Sequence, residues 1–322
     1  MLARLIPDRF IQWLLAAAAA GISLPVPAGA AAALDAFTLA AIFTLFLLHG
    51  VRLPREALKA GVTDWRLHTA ILGLTFAVFP AAALLLSKLV PGLMSGGLWL
   101  GFLFLSALPS TVQSSIAYTS MARGNVAGAV AAAAFSNLAG VFLTPLLVVA
   151  MVGADGASVS PGGIARIVLL LFAPFLIGHA LRPWLRAPVE ARPGLTRMVD
   201  KGTILLAVYG AFSAATAGGI WSQVPPAELA ILLGLCLLLL AIVLAAAWSL
   251  GSAFPRESRA AILFCGSVKS LASGAPMARI LFPGAAAGLV ILPIMIFHSA
   301  QLIVCAWIAA RLGALDSEKD AA

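Results

Sequence analysis

Apolar residues along this chain come in long blocks, not in the one-sided i, i+3, i+4 stripe of a helix on a soluble surface. Short polar or Pro/Gly segments separate them. Ten blocks stand at residues 10–28, 34–51, 66–87, 96–120, 125–152, 163–181, 202–221, 227–250, 258–281 and 284–310. Each is close to the roughly 20 residues that a helix needs to cross a bilayer. Lipid offers the backbone no hydrogen-bond partners, so segments of this kind are helices. The pattern predicts an all-α integral membrane protein with ten transmembrane helices. The fourth and ninth blocks are the least uniformly apolar, with polar and helix-breaking residues at their centres.

Composition agrees. The 322 residues are 62% hydrophobic and 10% charged, where a soluble chain carries roughly a quarter charged residues. Almost nothing is left over for a soluble domain, and the bilayer is the expected surroundings. The net charge of +8 would suit a nucleic-acid partner only if it were clustered for one, and it is not. Alternate loops collect it: Arg4, Arg9, Arg52, Arg55, Lys59, Arg66, Arg123, Arg182, Arg186, Arg192, Arg197, Lys201, Arg256, Arg259, Arg311 and Lys319 fall on one side of the ten-span topology, against Lys88, Arg166 and Arg279 on the other. By the positive-inside rule both termini are cytoplasmic, in the cell's inner (plasma) membrane. The basic start followed by an apolar run also has the make-up of a signal peptide. A 156-residue offset within the chain argues against cleavage, because it pairs block 1 with block 6. Cys236, Cys265 and Cys305 stand singly in apolar runs, with neither disulfide nor zinc spacing.

That offset is most visible in the two polar segments. "STVQSSIAYTSMAR" at 110–123 is echoed by "GSVKSLASGAPMAR" at 266–279. Val112 meets Val268, Ser114 meets Ser270, and Met121-Ala122-Arg123 meets Met277-Ala278-Arg279; Gln113 meets Lys269. A five-span unit is odd-numbered, so its second copy must enter the membrane inverted. The repeats are predicted as 1–152 and 153–322. Inverted repeats are a hallmark of secondary transporters, whose sites lie where discontinuous helices break near the midplane. Both segments have the make-up of a break. Pro109 removes a backbone donor, and Ser110, Thr111, Gln113, Ser114 and Ser115 follow it. The second copy offers Gly266, Ser267, Lys269, Ser270, Ser273, Gly274 and Pro276. Small hydroxylated residues also let helices pack closely. Two symmetry-related clusters, each with a long polar residue, point instead to a site.

The run "LPSTVQSSIAYTSMARGNVAGAV…LTPLL" at 108–147 resembles the fourth and fifth spans of the bile acid:sodium symporter family, solute carrier family 10. "FCGSVKSLASGAPMARILFP" with "FHSAQ" at 297–301 is similar to a divergent branch of it, which includes the family's seventh vertebrate member and bacterial homologues. The resemblance implies two inverted five-helix repeats. Helices 1, 2, 6 and 7 form a panel, and helices 3–5 and 8–10 form a core in which broken helices 4 and 9 cross. Substrate lies behind the crossing, between core and panel, and alternating access moves one against the other. Two sodium ions bind close by. The family's Ser-Asn pair at the first break falls on Ser114 and Ser115. Its hydroxyl sodium ligands early in helix 5 fall on Ala129 and Ala133. Its helix 9 glutamate falls on Cys265, the glutamine four residues later on Lys269, and the helix 3 glutamine on Thr75. Sodium coupling remains possible in this reading, with fewer oxygens to support it.

Lys269 has no carboxylate at its depth, since all twelve acids lie in loops, tails or block ends. An ammonium there costs roughly 2.5–3.5 kcal/mol on insertion scales. Snorkelling suits Lys88; for Lys269, about eleven residues from either end of its block at about 1.5 Å each, the reach is too long. Three roles stay open. The lysine could replace sodium, meeting oxygens of Thr111, Ser114, Ser115, Ser267 and unwound carbonyls, or face an organic anion. It could carry a coupling proton. It could be purely structural. Ser136, Asn137, His298 and Gln301 are weaker candidates, as is Thr75; for each, helix–helix hydrogen bonding competes with a site role. A Ser-Lys dyad from Lys269 with Ser267 or Ser273 would be the start of an intramembrane hydrolase. No other hydrolase motif accompanies it, and an enzyme has no use for the inverted repeat. The expected function is transport of a small organic anion, with no cofactor beyond an ion. A sodium-coupled symporter of bile-acid-like anions and a non-transporting regulatory membrane protein are the alternatives.

Overall fold

The computed structural model describes residues 9–52, 64–152, 161–282 and 284–320, and these residues contain helices, turns and loops but no strand. The helices are α1 (Arg9–Ser23), α2 (Ala28–Arg52), α3 (Trp65–Leu89), α4 (Gly96–Ala107), α5 (Gln113–Met121), α6 (Val126–Val152), α7 (Pro161–Ala180), α8 (Arg182–Glu190), α9 (Pro193–Ala217), α10 (Pro226–Gly251), α11 (Arg256–Ser267), α12 (Leu271–Leu281) and α13 (Ala286–Asp320). Every predicted block contains helix. Blocks four and nine each contain two helices, parted at residues 108–112 and 268–270. Arg4, Arg55, Lys59 and Asp155 lie outside the described residues, as does the predicted repeat boundary at 152–153.

Six segments are long and apolar enough to cross a membrane: α2, α3, α6, α10, α11 with α12, and α13 over Ala286–Ala314. Phe10–Ser23, Gly96–Ala107 and Leu169–Ala180 are shorter apolar helices. The chain is therefore a multi-pass, all-helical membrane protein. The α11–α12 segment differs from the other long ones. Over its 18-residue apolar window the mean hydropathy is 1.2 and 94% is buried, whereas the corresponding window of α10 has a hydropathy of 3.1 and is 33% buried. A helix wrapped in protein has no need of lipid-soluble side chains on every face, which is why polar residues are tolerated there.

The helices form two compact units. One comprises residues 1–52, 160–225 and 274–292. In it α2 packs on α7 and α1 on α9. Gly50 and Gly178 allow the first contact: a Cβ on either would stand 2.0 Å from a backbone oxygen of the facing helix, that of Phe175 or Leu47. Only glycine permits that approach, a common device where helices must pack without a hydrophobic driving force. Arg52 closes one end of this unit with an ion pair to Asp200 at 2.8 Å.

The second unit comprises residues 53–159, 226–273 and 293–322. Its interior is filled by Phe79, Phe102, Phe104, Phe264 and Phe297, all fully buried, and Lys269 is buried among them. Residues 260–271 are buried without interruption. The ring of Phe79 meets that of Phe297 edge-on at 5.8 Å, and Tyr118 meets Phe264 at 5.7 Å. This unit contains both helix breaks.

Candidate functional site

The first break begins where α4 runs into Pro109. Proline has no amide hydrogen, so the last carbonyls of α4 lose their helical partners. The next donor, the amide of Ser110, turns away to Ser136 Oγ at 2.9 Å. Each freed carbonyl finds another partner, as buried backbone groups must. Thr144 Oγ1 donates to Ala107 at 2.8 Å, the Ser270 amide to Pro109 at 2.9 Å, and Asn137 Nδ2 to Ser110 at 3.0 Å. Gly140 of α6 makes room for the bend, because a Cβ there would lie 2.7 Å from Pro109 Cβ. Beyond the break Ser115 Oγ donates to the Thr111 carbonyl and the hydroxyls of Thr111 and Ser114 bond each other, which starts α5.

At the second break α11 ends at Ser267 and the backbone turns extended at Val268. Gln301 of α13 takes the role of a neighbouring strand. Its Oε1 accepts from the Lys269 amide at 2.7 Å and its Nε2 donates to the Lys269 carbonyl at 2.9 Å. Ser270 then caps α12, its Oγ accepting from the Ser273 amide at 3.2 Å. This is the usual service of serine at a helix start. Ser273 Oγ donates to Asn137 Oδ1 at 2.9 Å, so Asn137 ties the first break to the beginning of α12.

The two breaks meet, and the Lys269 side chain joins them to α3. Its Nζ donates to the carbonyls of Ser106 at 2.6 Å, Leu108 at 2.7 Å and Thr75 at 2.7 Å. Each acceptor is available for a stated reason. Ser106 would bond the Ser110 amide in a continuous helix, and that amide has gone to Ser136. Leu108 lies in the gap itself. Thr75 belongs to a π-helical turn over Leu74–Val78, in which the Phe79 amide bonds Leu74 instead of Thr75. The following residue is Pro80, which has no amide to offer. The ring of Phe79 completes the setting, with Nζ 4.1 Å from its centroid, a favourable place for a cation. Three hydrogens meet three acceptors, which matches an ammonium with no donor left over.

This arrangement corrects one expectation. The hydroxyls of Thr111, Ser114, Ser115 and Ser267 do not receive the ammonium; they are spent near their own helices, that of Ser267 on the Leu263 carbonyl. Backbone carbonyls take their place. Lys269 is fully buried, with its Nζ on three carbonyls. Thr75 takes part through its carbonyl, while its hydroxyl bonds Ile71 at 2.8 Å. Gln113 is exposed and stands apart from this cluster. Cys265 is buried with its Sγ 3.8 Å from the Ala129 carbonyl. His298 joins through Gln301, Nε2 to Nδ1 at 2.9 Å. Ser106, Leu108, Thr144 and Phe79 went unnoticed in the sequence, although Pro80 and Pro109 mark where helical carbonyls would be released.

Three of the positions that the resemblance assigns to sodium ligands offer no oxygen, while Thr75, Ser114 and Ser115 keep hydroxyls. A hard cation is held by oxygens, and Ala129, Ala133 and Cys265 offer two methyl groups and a thiol. Among the described residues no cluster of His, Cys, Asp and Glu could hold a metal ion.

Comparison with known proteins places this geometry in context. Residues 8–314 match the profile of the SBF-like CPA transporter family. An uncharacterized protein of Pseudomonas aeruginosa is 46% identical over 96% of this chain and 93% of its own length. "Putative symporter YfeH" of Escherichia coli is 45% identical over 85% of this chain and 83% of its own. Sodium/bile acid cotransporter 7 of Danio rerio is 26% identical over 83% of this chain and 81% of its own.

Proposed function

The chain belongs to the SBF-like CPA transporter family, and from that premise we propose that it carries a small organic anion across the inner membrane by alternating access. Lys269 is the resident cation where typical relatives of the bile acid:sodium symporters bind sodium. The observation that carries this reading is the ammonium held by three carbonyls, two from the first helix break and one from the π turn of α3. Carbonyl cages of this kind suit a small cation, and here the cation is covalently attached.

In this reading the ten spans form two inverted five-helix repeats, 1–152 and 153–322, with both termini cytoplasmic. Helices 1, 2, 6 and 7 act as panel and 3–5 with 8–10 as core. The substrate's negative charge is balanced at a distance by the ammonium and by the helix N-termini that follow the breaks, α5 and α12, each carrying a partial positive charge. Partly exposed polar groups at the start of α5, Gln113 and Ser114, are nearest to what a ligand can reach.

A sodium-coupled symporter of bile acids is the second reading, favoured by the printed name of the vertebrate relatives. Uptake into proteoliposomes separates the two. With taurocholate and simpler organic carboxylates as probes, the proposal expects uptake that is unchanged when sodium is replaced by choline. Uptake that requires a sodium gradient would support the second reading, and no uptake of any organic anion would count against both.

A further inference from the structure

We infer that His298 binds a proton whose presence decides whether Gln301 can hold the second helix break. The inference rests on the transporter reading above and names its coupling ion.

Backbone chemistry fixes the Gln301 amide. The Lys269 amide can only donate, so the atom 2.7 Å from it must be Oε1; the Lys269 carbonyl can only accept, so the atom 2.9 Å from it must be Nε2. No flip satisfies both bonds. One Nε2 hydrogen remains, and it meets Nδ1 of His298 at 2.9 Å. Nδ1 must therefore present a lone pair, so the imidazole is neutral and carries its hydrogen on Nε2. A further proton can only go to Nδ1, and two donors would then face each other at hydrogen-bond distance. Turning the Gln301 amide over would relieve that conflict. The same turn would bring Nε2 to the Lys269 amide and Oε1 to the Lys269 carbonyl, breaking both backbone bonds. With the ring held where it stands, a doubly protonated His298 and a clamped second break exclude one another.

The surroundings act in the same direction. Gln301 bonds the backbone of Lys269, the residue that carries the buried ammonium, so a second positive charge on His298 is disfavoured as well as mispaired. Among the described residues, the titratable groups recorded against this stretch of α13 include the Tyr118 phenol of α5 on the Leu302 carbonyl at 3.1 Å, the Cys236 thiol of α10 on the Pro293 carbonyl, and, in the buried cluster against which Leu302 packs, Cys265 of α11 and Cys305 of α13 itself. From α3 comes the Phe79 ring, against Phe297. Gln301 is fully buried and His298 only half-buried, so a proton can arrive where the clamp itself is sealed. Proton binding is thereby linked to the backbone that carries Lys269, and by reciprocity a substrate that prefers either state of the break changes the affinity for the proton.

Amide hydrogen exchange of residues 267–271 in purified full-length protein, corrected for intrinsic rates and followed from pH 8 to pH 5, tests this without any substrate. Wild-type protection should fall about tenfold or more as the pH is lowered across this range. In His298→Gln, whose amide oxygen still accepts from Gln301, protection should stay flat. A flat wild-type profile, or the same fall in the variant, overturns the proposal. Nitrogen-15 histidine spectra of the wild type provide a check that needs no variant. His298 should carry its hydrogen on Nε2 at pH 8 and gain Nδ1–H as protection is lost; a neutral Nδ1–H form would contradict it. If exchange behaves as expected while no organic anion is taken up, the proton site stands and the transport reading falls.

Discussion

The two echoed breaks are related in sequence but do opposite jobs. The first, at 106–111, supplies acceptors: the carbonyls of Ser106, Leu108, Pro109 and Ser110 all receive donors from elsewhere. The second supplies donors, namely the Lys269 ammonium and the Ser270 amide. Their means of breaking also differ. Pro109 ends α4 by removing an amide, whereas no proline lies between Ser267 and Leu271, and Gln301 holds that backbone instead. At the matching position of the echo, Gln113 is exposed and Lys269 is fully buried. The two gaps are similar in make-up yet complementary in bonding, because carbonyls that the first leaves free are met by donors from the second.

The most damaging way to disturb this complementarity is Lys269→Met. Three buried carbonyls lose their donor, each worth about 1–3 kcal/mol when left unpaired, partly offset because no charge then needs burying. A net loss of about 2–4 kcal/mol is expected in thermal unfolding in detergent, with uptake reduced to the level of empty vesicles. Lys269→Arg should not rescue uptake, since a planar guanidinium cannot replace a compact ammonium among three converging carbonyls. Gln301→Leu comes next. It strips both bonds from the Lys269 backbone at a cost of about 2–3 kcal/mol, visible as faster amide exchange at 268–270 while α6 keeps its protection. Ser136→Ala removes the acceptor of the Ser110 amide and should cost about 1–2 kcal/mol by the same measurement. Gln113→Ala stands at the other extreme. As an exposed side chain outside the carbonyl cluster it should change stability by less than about 0.5 kcal/mol. A large loss of stability there would mean that the two breaks are more alike than described.

Much of the fold could be read from the sequence because the bilayer permits so little else. Apolar blocks of spanning length each fell on helix, and the polar centres of two blocks marked the gaps; the bounds were looser, since α2 and α9 begin well before their blocks and α13 ends well beyond its own, and α8 lies in no block. Lys269 stood out by the same logic, as a charge with no way to the surface. That unwound carbonyls would be among its partners was expected, but not which ones. Carbonyls are present at every residue, and which of them is free depends on where an amide fails to arrive. That took Pro80 with the π turn in α3, and Ser136 drawing the Ser110 amide away, neither of which leaves a pattern in side-chain periodicity. Serine and threonine hydroxyls were the visible oxygens and so were expected to meet the lysine; most of them instead bond their own helices, as these residues commonly do. Asn137 and Gln301 were legible only as polar residues on apolar helices. Their work in bridging the breaks depends on contacts between α6, α12 and α13 that lie far apart along the chain.

The central claim is that the cation at the crossing is part of the protein. Equilibrium binding of radioactive sodium to the purified wild-type protein, at constant ionic strength against choline, tests it most directly. The account predicts no saturable binding up to physiological sodium concentrations. Saturable, stoichiometric binding would contradict it and would make Lys269 a structural strut beside a working sodium site.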